Sequence, residues 1–327
     1  MHIGAIVSLA EDRQGDETSY GRKYPRNGRG FLPGSSRARL DILGRSLLER
    51  AIAKLRQLPS VSVRTIPESP ASTSLLPARS AKSSNFITAW ESAVAQHVQE
   101  GASQLLLLRV GCYSDLDYEE LLRFHVQRGA ALTQAYGTAG ALDLAVVEAD
   151  CLRGTETPYR KVLSAFIPEQ ERFFFDGYVN PLKEPQDLRQ LIEDGLAGRC
   201  SLQPIGNEVS AGVWMGAAAR VDPSVSINGP TFIGAGSRIA ESCTIKGSSS
   251  IERDCEVDCG TTVDQSCILQ GVYVGVALNL RRSIVTQKRL FHLDRNVEVE
   301  IDDDRLLGTT KVAPIQRSAA FGGGHTE

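Results

Sequence analysis

The 327-residue chain carries 36 Lys and Arg against 39 Asp and Glu, a formal charge of -3, and its pI lies near 6.0. That length allows two domains with separate cores, and the charge balance leaves no basic stripe to follow a phosphate backbone, which argues against nucleic-acid binding. No apolar run approaches the roughly 20 residues of a membrane-spanning helix, and the opening MHIGAIVSLAEDRQGDE lacks the basic segment and cleavage site of a signal peptide, so a cytoplasmic protein without membrane contact is expected.

In chain order, HIGAIVSLA reads as a buried first strand. LDILGRSLLERAIAKLRQL places Leu47, Leu48, Ala51, Ile52 and Leu55 at helical spacing, and SVSVRTI reads as the next strand. Residues 67–84, PESPASTSLLPARSAKSS, are rich in Ser, Pro and Ala and are expected to form a loop. NFITAWESAVAQHVQEG follows as a helix and SQLLLLRVGC as a second buried strand. In DLDYEELLRFHVQRG, Asp117 is expected to cap a helix while Glu120 reaches back three residues to complete a capping box. Strand-like and helix-like segments alternating in this way predict a parallel α/β sheet.

A strict period of six follows. Met215, Val221, Ile227, Ile233, Ile239, Ile245, Ile251, Val257 and Val263 recur without a break, which neither helical nor simple strand spacing produces over such a length. Four residues after each stands a second set, Ala219, Val225, Thr231, Ser237, Cys243, Ser249, Cys255, Thr261 and Cys267, nearly all small. Each hexapeptide is read as a short strand and a turn, three closing one triangular coil, so residues 213 to about 275 are predicted to form a left-handed parallel β-helix with the aliphatics as its core.

Cys243, Cys255 and Cys267 then fall on three different faces and do not bond to one another. With Cys112, Cys151, Cys200 and Cys259 they show no CxxC, and no histidines cluster, so reduced thiols rather than zinc are expected. Beyond the coils, Val297, Val299 and Ile301 alternate as in a strand, and 306–327 reads as a disordered tail.

The repeat resembles the hexapeptide-repeat domain shared by acyltransferases and by the carboxy-terminal part of many sugar-1-phosphate nucleotidyltransferases. SQLLLLRVGCYSDLDYEELLRFHVQRGAALTQAY is similar to the stretch of the latter family in which a buried strand ends at a metal-binding Asp and a Leu-Leu-x-x-His helix follows. ILGRSLLERAIAKL is similar to its V-x-G-K-P-L helix start, and GYVNPLKEPQDLRQLIEDGLAGRC to the segment leading into the β-helix. The resemblance covers most of the chain and implies a nucleotidyltransferase-like, Rossmann-like mixed-sheet α/β domain over 1–200, followed by a left-handed β-helix over 208–305.

The departures carry as much meaning. The family's glycine-rich phosphate turn is replaced by Leu9-Ala10-Glu11-Asp12-Arg13-Gln14-Gly15, whose carboxylates would repel a triphosphate. The family lysine falls at or near Arg37. The two magnesium-binding carboxylates fall at Gly111 and at Asn180 or Pro181, with Asp115 or Asp117 as the substitutes within reach. No catalytic residue or metal ligand is therefore assigned, Mg²⁺ is implied only if the chain is active, and Arg37 and Arg109 are the expected phosphate-binding residues.

The resulting expectation is a pseudoenzyme of sugar-nucleotide metabolism. It would bind a nucleotide or sugar phosphate and act as a regulatory or scaffolding subunit, as a homo-oligomer or beside an active paralogue. The alternative is a working NDP-sugar pyrophosphorylase, in which a sugar-1-phosphate attacks the α-phosphate of an NTP. A second alternative, a hexapeptide acyltransferase, needs a histidine base; none lies between 126 and 291, which leaves His292.

Overall fold

Strand β1, Ile3–Ala10, buries Ile3, Ala5, Ile6, Val7 and Leu9, as a strand covered on both faces requires. It belongs to the first of two units, Met1–Leu188 and Arg189–Glu327, in a computed structural model that describes residues 2–10, 37–69 and 84–310. The turn at Glu11–Gly15 and most of the expected loop, 70–83, lie outside the described residues.

The helix expected across Leu40–Leu58 begins later. Asp41–Ile42 and Arg45–Ser46 form a hairpin, β2 and β3, turning through Leu43 and Gly44 at φ 52° and 87°. Positive φ at two successive residues is what a two-residue hairpin turn demands, and a helix cannot start through it. Ser46 then caps α1, Leu47–Leu55: its hydroxyl accepts from the Glu49 N–H at 3.2 Å, and Glu49 accepts from the Ser46 N–H at 2.9 Å. This is the reciprocal box that the sequence reading placed at Asp117.

Strand β4, Val61–Ser69, runs three residues into the expected loop. Helix α2 (Ser84–Gln99), strands β5 (Gln104–Val110) and β6 (Tyr113–Ser114), and helix α3 (Tyr118–Arg128) follow. At α3 the cap is one-sided: Asp117 accepts from the Glu119 N–H at 2.9 Å, while Glu120 is exposed. Next come β7 (Leu132–Gly137), β8 (Gly140–Glu148), α4 (Tyr159–Phe166), β9 (Glu171–Phe174), β10 (Val179–Asn180) and α5 (Pro185–Leu196).

The main sheet has the order β4-β1-β5-β8-β7-β9. It is mixed rather than wholly parallel, because β8 runs against both β5 and β7. Chain direction explains this: β7 and β8 are joined by two residues, too few for the crossover that parallel neighbours need.

In the second unit each short strand pairs in parallel with one eighteen residues further on, as Val213 with Thr231, Arg220 with Arg238 and Ser226 with Thr244. The resulting three ladders are compatible with a β-helix-like region. Ile233, Ile239, Ile245, Ile251, Val257 and Val263 are buried; Met215, Val221 and Ile227, in the first coil, are only half-buried. The stacking outlasts the strict period. After Val263 one residue is dropped, and Ile251 pairs with Ile268, Val257 with Val274, and Val263 with Leu280, now seventeen apart.

That deletion moves the small corner residue from Cys267, which pairs with Ser250 inside a strand, to Ser266. The corner residues also do more than fit. The Ser237 hydroxyl donates to the Glu252 carbonyl at 2.7 Å and accepts from the Cys255 N–H at 3.0 Å. Thr261 likewise donates to the Gly275 carbonyl and accepts from the Leu278 N–H, and Ser266 joins the Leu280 carbonyl to the Ser283 N–H. Each such hydroxyl satisfies two buried backbone groups of the next coil that would otherwise cost about 1–3 kcal/mol apiece. Cys243 and Cys255 stand at corners before two different ladders, Cys267 lies in the third, and all three thiols are free.

The second unit includes Arg189, whose guanidinium donates to the Gln265 and Gly247 carbonyls at 3.0 and 3.2 Å. At the other end Leu307–Thr309 is a strand antiparallel to Val272–Val274, inside the stretch expected as tail from 306; the remainder, 311–327, lies outside the described residues. Arg289–His292 and Val297–Glu300 extend the first ladder as an antiparallel meander.

Candidate functional site

From β1 the chain passes to β4 on one side and then across to β5 on the other. Strand order reverses there, and in such sheets a crevice opens at the carboxyl ends of the two diverging strands. Strand β5 ends at Val110, and buried Gly111 and half-buried Cys112 follow it.

The two arginines expected to hold phosphate both act on the cysteine at this strand end. Burial pushes the Cys112 thiol up to about 11, and Asp143 adds to the rise, while Arg37 and Arg109 both act to lower it. Both guanidinium groups therefore lie within electrostatic range of one thiol. Arg109, at the end of β5, is ion-paired with Asp143 on β8. Arg37, in a 3-10 turn over Arg37–Arg39, donates to the Leu182 carbonyl at 3.1 Å. Neither Cys112 nor Asp143 is among the residues expected at the site; Asp143 stands on β8, in the β7–β8 hairpin.

The two positions where the resemblance puts magnesium ligands are also brought together. Strands β6 and β10 pair antiparallel with Asn180 opposite Tyr113, two residues beyond Gly111. Asn180 is buried, and both ends of its amide serve the backbone: Nδ2 donates to the Asp187 carbonyl at 2.9 Å and Oδ1 accepts from the Leu182 N–H at 3.0 Å. Asp187 in turn accepts from the Lys183 and Glu184 N–H groups at 2.7 and 3.0 Å. Pro181 lies between these anchored residues and has no side-chain donor. Asp117 is engaged as the α3 cap. The Asp115 and Leu116 carbonyls accept from Lys54, whose ammonium lies 4.8 Å from the Tyr118 ring centre. Burial lowers the Lys54 pKa, and Asp115 and Asp117 oppose that shift.

Mg²⁺ asks for hard oxygen ligands in octahedral array. Gly111 has no side chain, the Asn180 amide oxygen already accepts from the Leu182 N–H, Asp143 is committed to Arg109, and among the described residues no group of three or more His, Cys, Asp or Glu is placed to hold a metal ion. The residues at this strand end do not fit a magnesium site. His292, the histidine an acyltransferase would need, pairs within the end meander opposite Ser283 and Val297, and its Nδ1 accepts from the Arg295 N–H at 3.4 Å.

Compared with known proteins, the chain matches no family model and no curated protein. No helix among the described residues is long and apolar enough to cross a membrane.

Proposed function

We propose that this chain is a nucleotidyltransferase-like protein of sugar-nucleotide metabolism with a degenerate active site and a regulatory or scaffolding role. The first unit is read as a nucleotidyltransferase-like, Rossmann-like domain. The second is read as a left-handed parallel β-helix, a reading supported by the hexad period and the eighteen-residue ladder offset. One observation carries the functional part: Gly111 follows β5 directly and Asn180 pairs with Tyr113 two residues further on, in the segment where nucleotidyl transfer needs carboxylates to hold the cation that screens the leaving pyrophosphate. One has no side chain, and the other has its amide tied into the backbone.

Arg37 and Arg109 suit a nucleotide or sugar phosphate held without turnover. Because Asp143 already neutralises Arg109, an anion must compete with that carboxylate, so binding is weak. The regulatory role calls for a partner, a second copy or an active paralogue, in a cytoplasmic setting without nucleic acid. Calorimetric titration with GTP, ATP and UTP, with and without Mg²⁺, and then a pyrophosphate-release assay with several hexose-1-phosphates, tests the proposal. Binding without release is expected; robust release overturns the degenerate-site reading, and failure of all three nucleotides to bind overturns the nucleotide part. Gly111→Asp alone should not bring release.

A further inference from the structure

The last strand of the end meander, Val297–Glu300, is exposed at every residue, with Val297 and Val299 at 46% and 44%. Its inner neighbour is Arg289–His292, paired antiparallel with Val299 opposite Leu290 and Val297 opposite His292. Among the described residues no strand pairs on its outer side.

Two sets of backbone bonds fix which groups face outward. The Ile301 N–H donates to the Lys288 carbonyl at 2.8 Å, while the Thr286 N–H donates to the Arg289 carbonyl and the Leu293 N–H to the Arg282 carbonyl, both at 2.8 Å. In an antiparallel pair both main-chain groups of a residue point to the same side, alternating along the strand. Arg289 and Phe291 thus bond inward to Thr286 and Ile284, Leu290 and His292 bond to Val299 and Val297, and the N–H and C=O groups of Glu298 and Glu300 face the open edge.

Carboxylates outnumber cations along this edge, where exposed Lys288 stands opposite Ile301. Glu298 is paired with Arg289 at 2.9 Å. Glu300, Asp302 and Asp304 have no ion-pair partner among the described residues. A second copy laid along the same edge would set carboxylate against carboxylate, which is unfavourable for directly opposed residues. A strand carrying Lys or Arg at alternate positions would meet Glu298 and Glu300 with opposite charge, and its aliphatic residues would lie beside Val297 and Val299.

We infer that the Val297–Glu300 edge is a docking site for an extended segment of another protein that alternates aliphatic with basic residues and adds a strand to this sheet. The inference is independent of the nucleotidyltransferase reading, since it uses no residue of the first unit. The test is fluorescence anisotropy of the full chain with labelled ten-residue peptides that alternate Val with Lys or Val with Glu. Amide hydrogen exchange is followed in parallel.

The Val–Lys peptide should bind at least tenfold more tightly than the Val–Glu peptide and slow exchange at Glu298 and Glu300. Glu300→Pro removes an outward N–H together with the carboxylate and should weaken binding at least tenfold; should that variant misfold, Glu300→Lys combined with Asp302→Lys should reverse the preference between the peptides. Equal affinity for both peptides, no binding, or binding indifferent to these changes overturns the inference. So does slow exchange at Glu298 and Glu300 that grows with protein concentration in the free chain, which would mark a second copy as the occupant.

Discussion

The two units bury their interiors by different rules. In the coil, one aliphatic per hexapeptide enters a column whose neighbours above and below are set by the ladder, and hydroxyl or thiol corners satisfy the backbone between coils. In the first unit the interior includes an irregular cluster in which Ile6, Ile66, Trp90, Leu105, Val147 and Leu163 arrive from six different elements. Stacking makes each coil residue depend on its immediate neighbours, whereas the sheet domain depends on contacts between residues far apart in sequence. The difference implies that damage to the coil should scale with depth in the stack, and damage to the sheet domain with the fit of one particular pair.

The sharpest test of depth compares two isoleucines at the same hexad position, in different coils and on different ladders. Ile251→Ala, in a fully enclosed coil, should cost about 3–4 kcal/mol, while Ile227→Ala in the half-buried first coil should cost about 1 kcal/mol; urea melts of the two variants that shift equally would break the stacking argument. Acid comes next. Burial, reinforced by Arg64, lowers the His97 pKa to about 4, and burial lowers that of His125 to about 4. The unfolded chain takes up these protons below about pH 6.5 and the folded chain only near 4, so stability is intact above 6.5 and lost as pH falls through that window, by up to ~3 kcal/mol per histidine. A denaturation midpoint unchanged between pH 7 and pH 4.5 would contradict it.

A smaller effect tests pairwise fit in the sheet domain. At Gly4 an added Cβ would lie 2.6 Å from Cγ of the His97 ring, which is locked against β1, so Gly4→Ala should destabilise by about 2 kcal/mol as judged by thermal melting. The smallest effect has the opposite sign. Ala277 sits at a coil corner with φ 53°, a conformation that disfavours a Cβ; Ala277→Gly should therefore stabilise by about 0.5 kcal/mol, and a lower melting temperature would show that corner strain is not what limits the coil.

The period, the buried aliphatics and the separation of the three cysteines were legible in the sequence because each repeat restates its neighbour. The reading lapsed where one residue is missing, between Val263 and Ile268, although Ile268, Val274, Leu280 and Val285 continue the column. At the candidate site Arg37 and Arg109 were named from sequence, but Asp143, which neutralises Arg109, was not. Nothing local in GALDLAVVE announces that β8 will lie antiparallel beside β5 and set that carboxylate there. The capping box was assigned to Asp117 when Ser46 and Glu49 form it, since the pattern fits both places and only the hairpin ahead of Ser46 fixes where a helix can begin.

By itself the sequence determined what depends on near neighbours: six-residue spacing, apolar strands, and the lack of a carboxylate at Gly111 or Asn180. Tertiary structure alone decided that Asn180 would lie opposite Tyr113, that Arg37 and Arg109 would both act electrostatically on Cys112, and that the main-chain groups of Glu298 and Glu300 would be left at an open edge. The reason is physical. Pairing between distant strands is selected by the packing of the whole sheet, and no short stretch of residues contains the energy of a contact it makes only after folding.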